Sequence, residues 1–276
     1  MRIGITTFVS DYSIDIVTLA RAAEERGFAS LYLPEHTHIP TSRRTPAPTG
    51  DAELGQAYSH LVDPFTSLAA AAAVTSTLVL GTGVSLVAQH DPIVLAKQVA
   101  TLDALSASRF VLGVGFGWNR EEMASHGVDY ARRREIVREK VLTMQALWRE
   151  DEASFAGEHV TLEPSWQWPK PARREVPILI GGAAGPKLFA AICNYAHGWM
   201  PMGGAGLTKA LPELRAQFEA AGRDPSTLRC IPFGTIPDAG KLEHYASLGV
   251  DEVVLRINEG STDDVLRRLD RGAAVL

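Results

Sequence analysis

The chain has 276 residues, 46% hydrophobic and 21% charged, with a formal net charge of -5. A chain of this length buries a large core without disulfide or metal staples. Its acidic balance argues against a nucleic-acid binder, whose footprint is a basic patch.

The pattern alternates strand and helix. A strand over 2–8 leads into a helix over 13–26, with Asp11 and Ser13 as candidate N-caps and Gly27 as its stop. A strand over 29–33 follows. Asp63-Pro64 is an N-cap with proline at the first helical position and opens a helix to about 74. Strand 78–82, helix 91–105 (opened by Asp91-Pro92), strand 110–114 and helix 132–149 come next. The second half reads as strand 176–180, helix 186–195, strand 198–201, helix 207–221, strand 228–233, helix 239–248, strand 252–256 and helix 262–271. Short apolar strands between amphipathic helices imply a parallel sheet covered by helices. Eight such units favour an α/β fold of one domain over 1–276, a single (β/α)8 TIM barrel, over an open sheet.

Met1-Arg2-Ile3-Gly4-Ile5 runs directly into a strand, so no signal peptide is expected. Pro64 to His90 carries no Asp, Glu, Lys or Arg, which invites a membrane reading. Thr75-Ser76-Thr77 and Gly81-Thr82-Gly83 interrupt it, and an Ala-rich helix turning into a buried strand accounts for it better. Cys193 and Cys230 are far apart and in no motif; they read as buried small hydrophobes in a reducing, cytoplasmic setting.

Two connections are too long for plain turns and read as inserted loops, one after strand 2 (34–62) and one before strand 5 (150–175). The first lies on the C-terminal face of the barrel, where such folds place active sites. The second begins on the opposite face.

Glycine clusters fall at three strand ends: Gly81-Thr82-Gly83-Val84, Gly113-Val114-Gly115-Phe116-Gly117-Trp118, and Gly181-Gly182-Ala183-Ala184-Gly185. Without a Cβ the backbone can approach a flat ring or a phosphate closely. The third cluster opens a helix, whose free N–H groups suit a phosphate. Singly, each also fits a tight turn; together on one face they favour a ligand with a ring and a phosphate. A dinucleotide fingerprint is rejected, because Trp118 stands where the last glycine belongs. Strand 2 ends in Glu35-His36, a carboxylate and an imidazole suited to proton transfer at the barrel mouth. A metal reading would draw on His38, His60 and His90, but no spacing supports it and no metal is expected. His197 reads as a core or turn histidine. Arg132-Arg133-Arg134 and Arg173-Arg174 are solvated faces or contacts for an anionic tail. Trp118, Trp166 and Trp168 either stack on a ring or fill space under loops.

Several of these residues form an ordered set. It comprises Leu80-Gly81-Thr82-Gly83-Val84, His90-Asp91-Pro92, Leu102-Asp103-Ala104-Leu105-Ser106, Arg109-Phe110, Leu112-Gly113-Val114-Gly115, Leu147-Trp148, Pro169-Lys170-Pro171, Ile180-Gly181-Gly182 and His197-Gly198-Trp199. The set resembles the luciferase-like monooxygenase superfamily, and most the branch that uses the 5-deazaflavin coenzyme F420. The resemblance covers nearly the whole chain, as far as Gly222-Arg223-Asp224-Pro225. It implies a cis peptide at Gly83–Val84, with Val84 behind the cofactor ring, and His36 facing that ring. It further implies Gly115 to Trp118 at the ring's flank and the Gly181–Ala184 backbone at the cofactor phosphate. The chain departs from the deazaflavin-dependent glucose-6-phosphate dehydrogenases, since Pro40 and Trp118 stand where those carry a Trp and a Glu. A sugar-phosphate substrate is therefore disfavoured. The leading expectation is hydride transfer between F420 and a small organic substrate by a homodimer. The competing expectations are an FMN-dependent monooxygenase using oxygen and a non-catalytic flavin-binding protein.

Overall fold

Strands form where β-branched and leucine runs alternate their faces, and helices where Ala, Leu and charged residues recur at helical spacing. The computed structural model describes residues 1–47, 53–236 and 238–276. Its elements begin β1 (Arg2–Thr6), α1 (Ile16–Glu25), β2 (Ser30–Leu33), α2 (Ala57–His60), α3 (Pro64–Ala72), β3 (Val79–Thr82), α4 (Pro92–Leu105), β4 (Phe110–Val114), α5 (Arg120–Ser125) and α6 (Arg133–Arg149). They continue as β5 (Glu152–Ala156), β6 (Thr161–Trp166), β7 (Ile178–Gly181), α7 (Pro186–Tyr195), β8 (Gly198–Met200), α8 (Leu207–Ala220), β9 (Arg229–Cys230), β10 (Phe233–Thr235), α9 (Ala239–Ser247), β11 (Glu252–Arg256) and α10 (Thr262–Ala273).

Nine strands make one curled parallel sheet in the order β10-β11-β1-β2-β3-β4-β7-β8-β9. Its outermost strands, β9 and β10, are separated in the chain only by Ile231 and Pro232. Ile231 N–H donates to the Trp199 carbonyl and Val254 N–H donates to that of Pro232, so this link touches both ends of the sheet. Alternation along the strands creates two cores. Leu31, Leu33, Leu112 and Ile180 face the helices, while Tyr32, Val111, Leu179, Met200, Ile231, Phe233 and Val254 pack inside the curl.

The N-terminal edge of the sheet is closed by charge. Glu252, 1% exposed, accepts from Ser30 Oγ at 2.7 Å and the Tyr32 hydroxyl at 3.2 Å. Arg2 lies 3.0 Å and Arg229 3.5 Å from the same carboxylate. Burial, then the Glu252 charge, push the Tyr32 phenol far up, so it remains a donor. A Cβ at Gly4 would lie 1.8 Å from Ser30 Oγ, so this edge requires glycine there.

Several expectations need correction. Asp15, not Asp11 or Ser13, caps α1, accepting from Thr18 N–H. The segment before β7 is not a plain loop but an antiparallel hairpin, β5 with β6. It is seated on α6 because buried Glu139 accepts from the N–H groups of Glu158, His159 and Val160 at the hairpin turn. The segment after β2 carries the short helix α2, and α5 stands where no element was expected. Residues 48–52 of that segment lie outside the described residues. Among the described residues no helix is long and apolar enough to cross a membrane. The stretch from Pro64 to His90 instead splits into α3 and β3.

Glu24 gives an acid-sensitive brace. One of its oxygens accepts from the N–H groups of Ser76, Thr77 and Leu78 at 2.8, 2.6 and 2.9 Å. Burial opposes its charge, but these donors outweigh burial and hold the carboxyl at about 2. The pKa is depressed on folding, so the stabilisation is complete above the ordinary value of 4.5 and fades as pH falls towards 2. Glu24→Ala is expected to cost about 2 kcal/mol at neutral pH. In urea melts, the gap between variant and wild type should shrink on acidification; a gap independent of pH would contradict this reading.

Candidate active site

The C-terminal ends of β2, β3, β4 and β7 meet around one apolar side chain. The Gly83–Val84 peptide is cis, as the resemblance implied. Beyond it the chain rejoins the sheet, with Ser85 N–H donating to the Gly113 carbonyl at 2.7 Å and Gly115 N–H to that of Ser85 at 2.8 Å. Val84 then caps the inner core. A Cβ on Gly115 would lie 2.4 Å from Val84 Cγ2, and one on Gly181 would lie 3.0 Å from Cγ1. At Gly83 a Cβ would meet Phe233 at 2.3 Å. Two strand ends therefore give up their side chains beside Val84, Gly83 gives up its own to Phe233, and Thr82 Oγ1 ties β3 to the Gly113 carbonyl at 2.8 Å.

His36 stands at the rim, after β2. Its Nδ1 lies 2.7 Å from Glu122 Oε2, with the two side chains 8% and 1% exposed. The other Glu122 oxygen accepts from Thr37 N–H at 3.1 Å. Rings wall the histidine in: Tyr58 and Trp118 each have centroids 5.5 Å from it, and Phe8 backs Tyr58 at 5.0 Å. The neighbouring carboxylate, Glu121, clasps the loop after β2. It accepts from Arg44 N–H at 2.9 Å, Thr45 N–H at 3.3 Å and Thr45 Oγ1 at 2.7 Å. The Thr45 hydroxyl first, then Arg44 N–H, hold the Glu121 carboxyl at about 2.

The loop between β7 and α7 forms the third part. Gly182 has φ +149°, a conformation that suits glycine, and its carbonyl is pinned at 2.8 Å by Trp199 Nε1–H. Gly185 precedes α7 with no capping side chain. Pro186 has no N–H, and the N–H groups of Leu188 and Phe189 donate to the Gly185 carbonyl at 3.0 Å, so the first turn of α7 leaves only the Lys187 N–H for an anion. Ala183 and Ala184 are exposed there.

The family model for luciferase-like monooxygenases matches residues 10–237. The chain belongs to that family. It is 43% identical over 279 aligned residues to the uncharacterized protein Rv0953c of Mycobacterium tuberculosis, covering 100% of this chain and 99% of the other. It is 32% identical to the F420-dependent glucose-6-phosphate dehydrogenase of Kineococcus radiotolerans, across 75% of this chain and 59% of that protein. Among solved structures, the monooxygenase RslO1 of Streptomyces bottropensis superposes with a TM-score of 0.79 at 19% identity, covering 100% of this chain and 98% of that one.

Within this luciferase-like chain, Glu35 has a different setting from the one expected of a catalytic group. It is 4% exposed, and its carboxylate accepts from Ser85 Oγ at 2.8 Å, Leu86 N–H at 2.6 Å and His90 Nε2 at 2.8 Å. Glu35 therefore braces the segment after the cis peptide from below. Burial opposes the charges of both partners. The hydrogen bond and charge they exchange prevail, holding the Glu35 carboxyl below its usual range and the His90 imidazole above its own.

Of the other histidines only His38 and His126 are neighbours among the described residues, with ring centroids 5.5 Å apart and both on the Thr37 hydroxyl. His60 pairs with Asp11 at 2.8 Å, and His38 meets the Thr37 hydroxyl at 3.0 Å. His197 is a turn partner as expected, its Nδ1 accepting from Ile178 N–H at 3.0 Å. Among the described residues only Glu135, Glu158 and His159 lie at metal-ligand spacing, and Arg132 already occupies both carboxylates. Sequence reasoning missed Glu122. The signal was present, because Asn119 and Glu122 stand at capping-box spacing and Asn119 Oδ1 does accept from Glu122 N–H at 3.4 Å.

Proposed function

We propose that this chain is an F420-dependent oxidoreductase on a closed (β/α)8 barrel. In this reading it moves a hydride between the deazaflavin and a small organic substrate at the barrel mouth. The observation that carries the reading is Val84, an apolar side chain against which Gly115 and Gly181 leave no room for a Cβ, together with the carboxylate-held His36 beyond the neighbouring strand. The F420 assignment draws on the relative named as F420-dependent. The residues fit such a group. Gly81, Thr82, Gly83 and Val84 would lie behind the ring, Gly115, Phe116, Gly117 and Trp118 would flank it, and the backbone of Gly181, Gly182, Ala183 and Ala184 would hold the phosphate.

Bound there, F420 supplies the two-electron hydride chemistry, and the protein binds, orients and excludes water. Glu122 accepts from His36 Nδ1–H, which leaves Nε2 as the nitrogen turned towards substrate. His36 would give a proton to, or take one from, the substrate oxygen. Tyr58 and Trp118 give this spot an apolar wall suited to a small, weakly polar substrate. Pro40 and Trp118 argue against a sugar phosphate.

The test is turnover with and without oxygen, followed by loss or gain of F420 absorbance over a panel of alcohols and unsaturated carbonyls. Rates under strict anaerobiosis should equal those in air. Product that forms only with reduced FMN and oxygen would replace this reading with the monooxygenase one.

A further inference from the structure

Three arginines at the first turn of α6 and in α5 lack the partner that surface arginines usually find. Arg132 binds Glu135 and Glu158. Arg120, Arg133 and Arg134, by contrast, have no carboxylate at ion-pair distance among the described residues, and each is stacked on an aromatic ring. Arg133 and Arg120 lie 3.8 and 4.6 Å from the Tyr130 centroid, and Arg134 lies 4.0 Å from that of Phe116. Stacking fixes the guanidinium planes; Arg133 Nη1 donates to the Tyr130 carbonyl at 2.7 Å, and the remaining N–H groups of the three present edges of the kind that meet a carboxylate. Arg133 Nε, Arg134 Nη1 and the hydroxyl of Tyr195 are buried with no hydrogen-bond partner. Tyr195 is 5% exposed and close enough to Arg134 to feel its charge. Burial, then the charge of Arg133, work against the Arg134 cation. A cluster of like charges, partly desolvated and unpaired, is costly unless an anion completes it.

Its position fits the proposed cofactor. Val114 of β4 pairs with Ile180 of β7, so Phe116 and Gly182 leave neighbouring strand ends two residues further on. Helices α6 and α7 then run side by side, joined by Arg138 Nε–H to Asn194 Oδ1 at 3.1 Å and by Gln145 Nε2–H to the Tyr195 carbonyl at 2.9 Å. These contacts reach the last residues of α7. Because β4 and β7 are parallel neighbours, the chain leaves both on the same face, and a tail running outward from a phosphate after β7 would cross that face towards the first turn of α6. FMN ends at its phosphate, whereas F420 continues into a tail bearing several carboxylates.

We propose that Arg120, Arg133 and Arg134 form a subsite for the carboxylate tail of F420 and thereby select it over FMN; this rests on the F420 reading above. Fluorescence titrations of the intact protein test it with three probes: F420, the same deazaflavin without phosphate or tail, and FMN. Arg134 also packs Phe116, so the charge is removed by Arg120→Gln and Arg133→Gln. Each should weaken F420 binding by about tenfold and leave the tailless deazaflavin unchanged. In the wild type, added salt should weaken F420 more steeply than the tailless probe. Unchanged F420 affinity in both variants would overturn the subsite while leaving the cofactor reading intact. An equal loss for the tailless probe would overturn it too, because the arginines would then only support the fold. Wild-type protein that binds FMN and not F420 would remove both readings together.

Discussion

Changing His36 to alanine is expected to reduce turnover by roughly 10²- to 10⁴-fold, the usual worth of a positioned proton donor. F420 affinity should change by no more than about twofold, because in the proposed reading the ring would rest on Val84 and glycine backbone and not on the imidazole. Glu122→Gln should follow in the same direction with a smaller loss, about tenfold or more, since it removes the charge that orients Nδ1–H but leaves Nε2 in place. Steady-state kinetics with a separate binding titration divides these effects. If His36→Ala lost affinity and kept its rate constant, His36 would be a cofactor contact and not a proton donor.

Glu35→Ala is expected to be the most destabilising single change in the site, costing about 3–5 kcal/mol. It strands a half-buried His90 and removes the acceptor of Leu86 N–H and Ser85 Oγ. Glu35 is depressed on folding, so its contribution holds above 4.5 and fades as pH falls through the lowered native value. His90 is raised, so its contribution holds below 6.5 and fades as pH rises through the raised native value. The pair therefore stabilises most between about 4.5 and 6.5. Denaturation of wild type and variant across pH should show the largest gap inside that window. A gap under about 1 kcal/mol throughout would mean that the carboxylate is not the brace described.

The fold was largely legible because its strands and helices advertise themselves locally. Asp63-Pro64 and Asp91-Pro92 open α3 and α4 as read, and 252–256 is the strand it was read as. What failed was what depends on distant partners. The alternation in 152–166 that makes a hairpin is short, and its turn is seated by Glu139, on another element. Glu35 and His36 are neighbours in sequence, and proximity in the chain suggested a shared role. Successive residues beyond a strand end point apart, and the structure gives each its own carboxylate–imidazole partner, His90 for Glu35 and Glu122 for His36. The glycines at 83, 115 and 181 were read as places where a ligand approaches; in the structure protein side chains fill the space, Phe233 at Gly83 and Val84 at Gly115 and Gly181, and Val84 could be named only through the family resemblance.

The most direct measurement of the central claim is a fluorescence titration of the purified protein with F420 and, separately, with FMN. Tight, saturable F420 binding with FMN at least about tenfold weaker is the predicted result, and micromolar FMN binding with no F420 binding would contradict it.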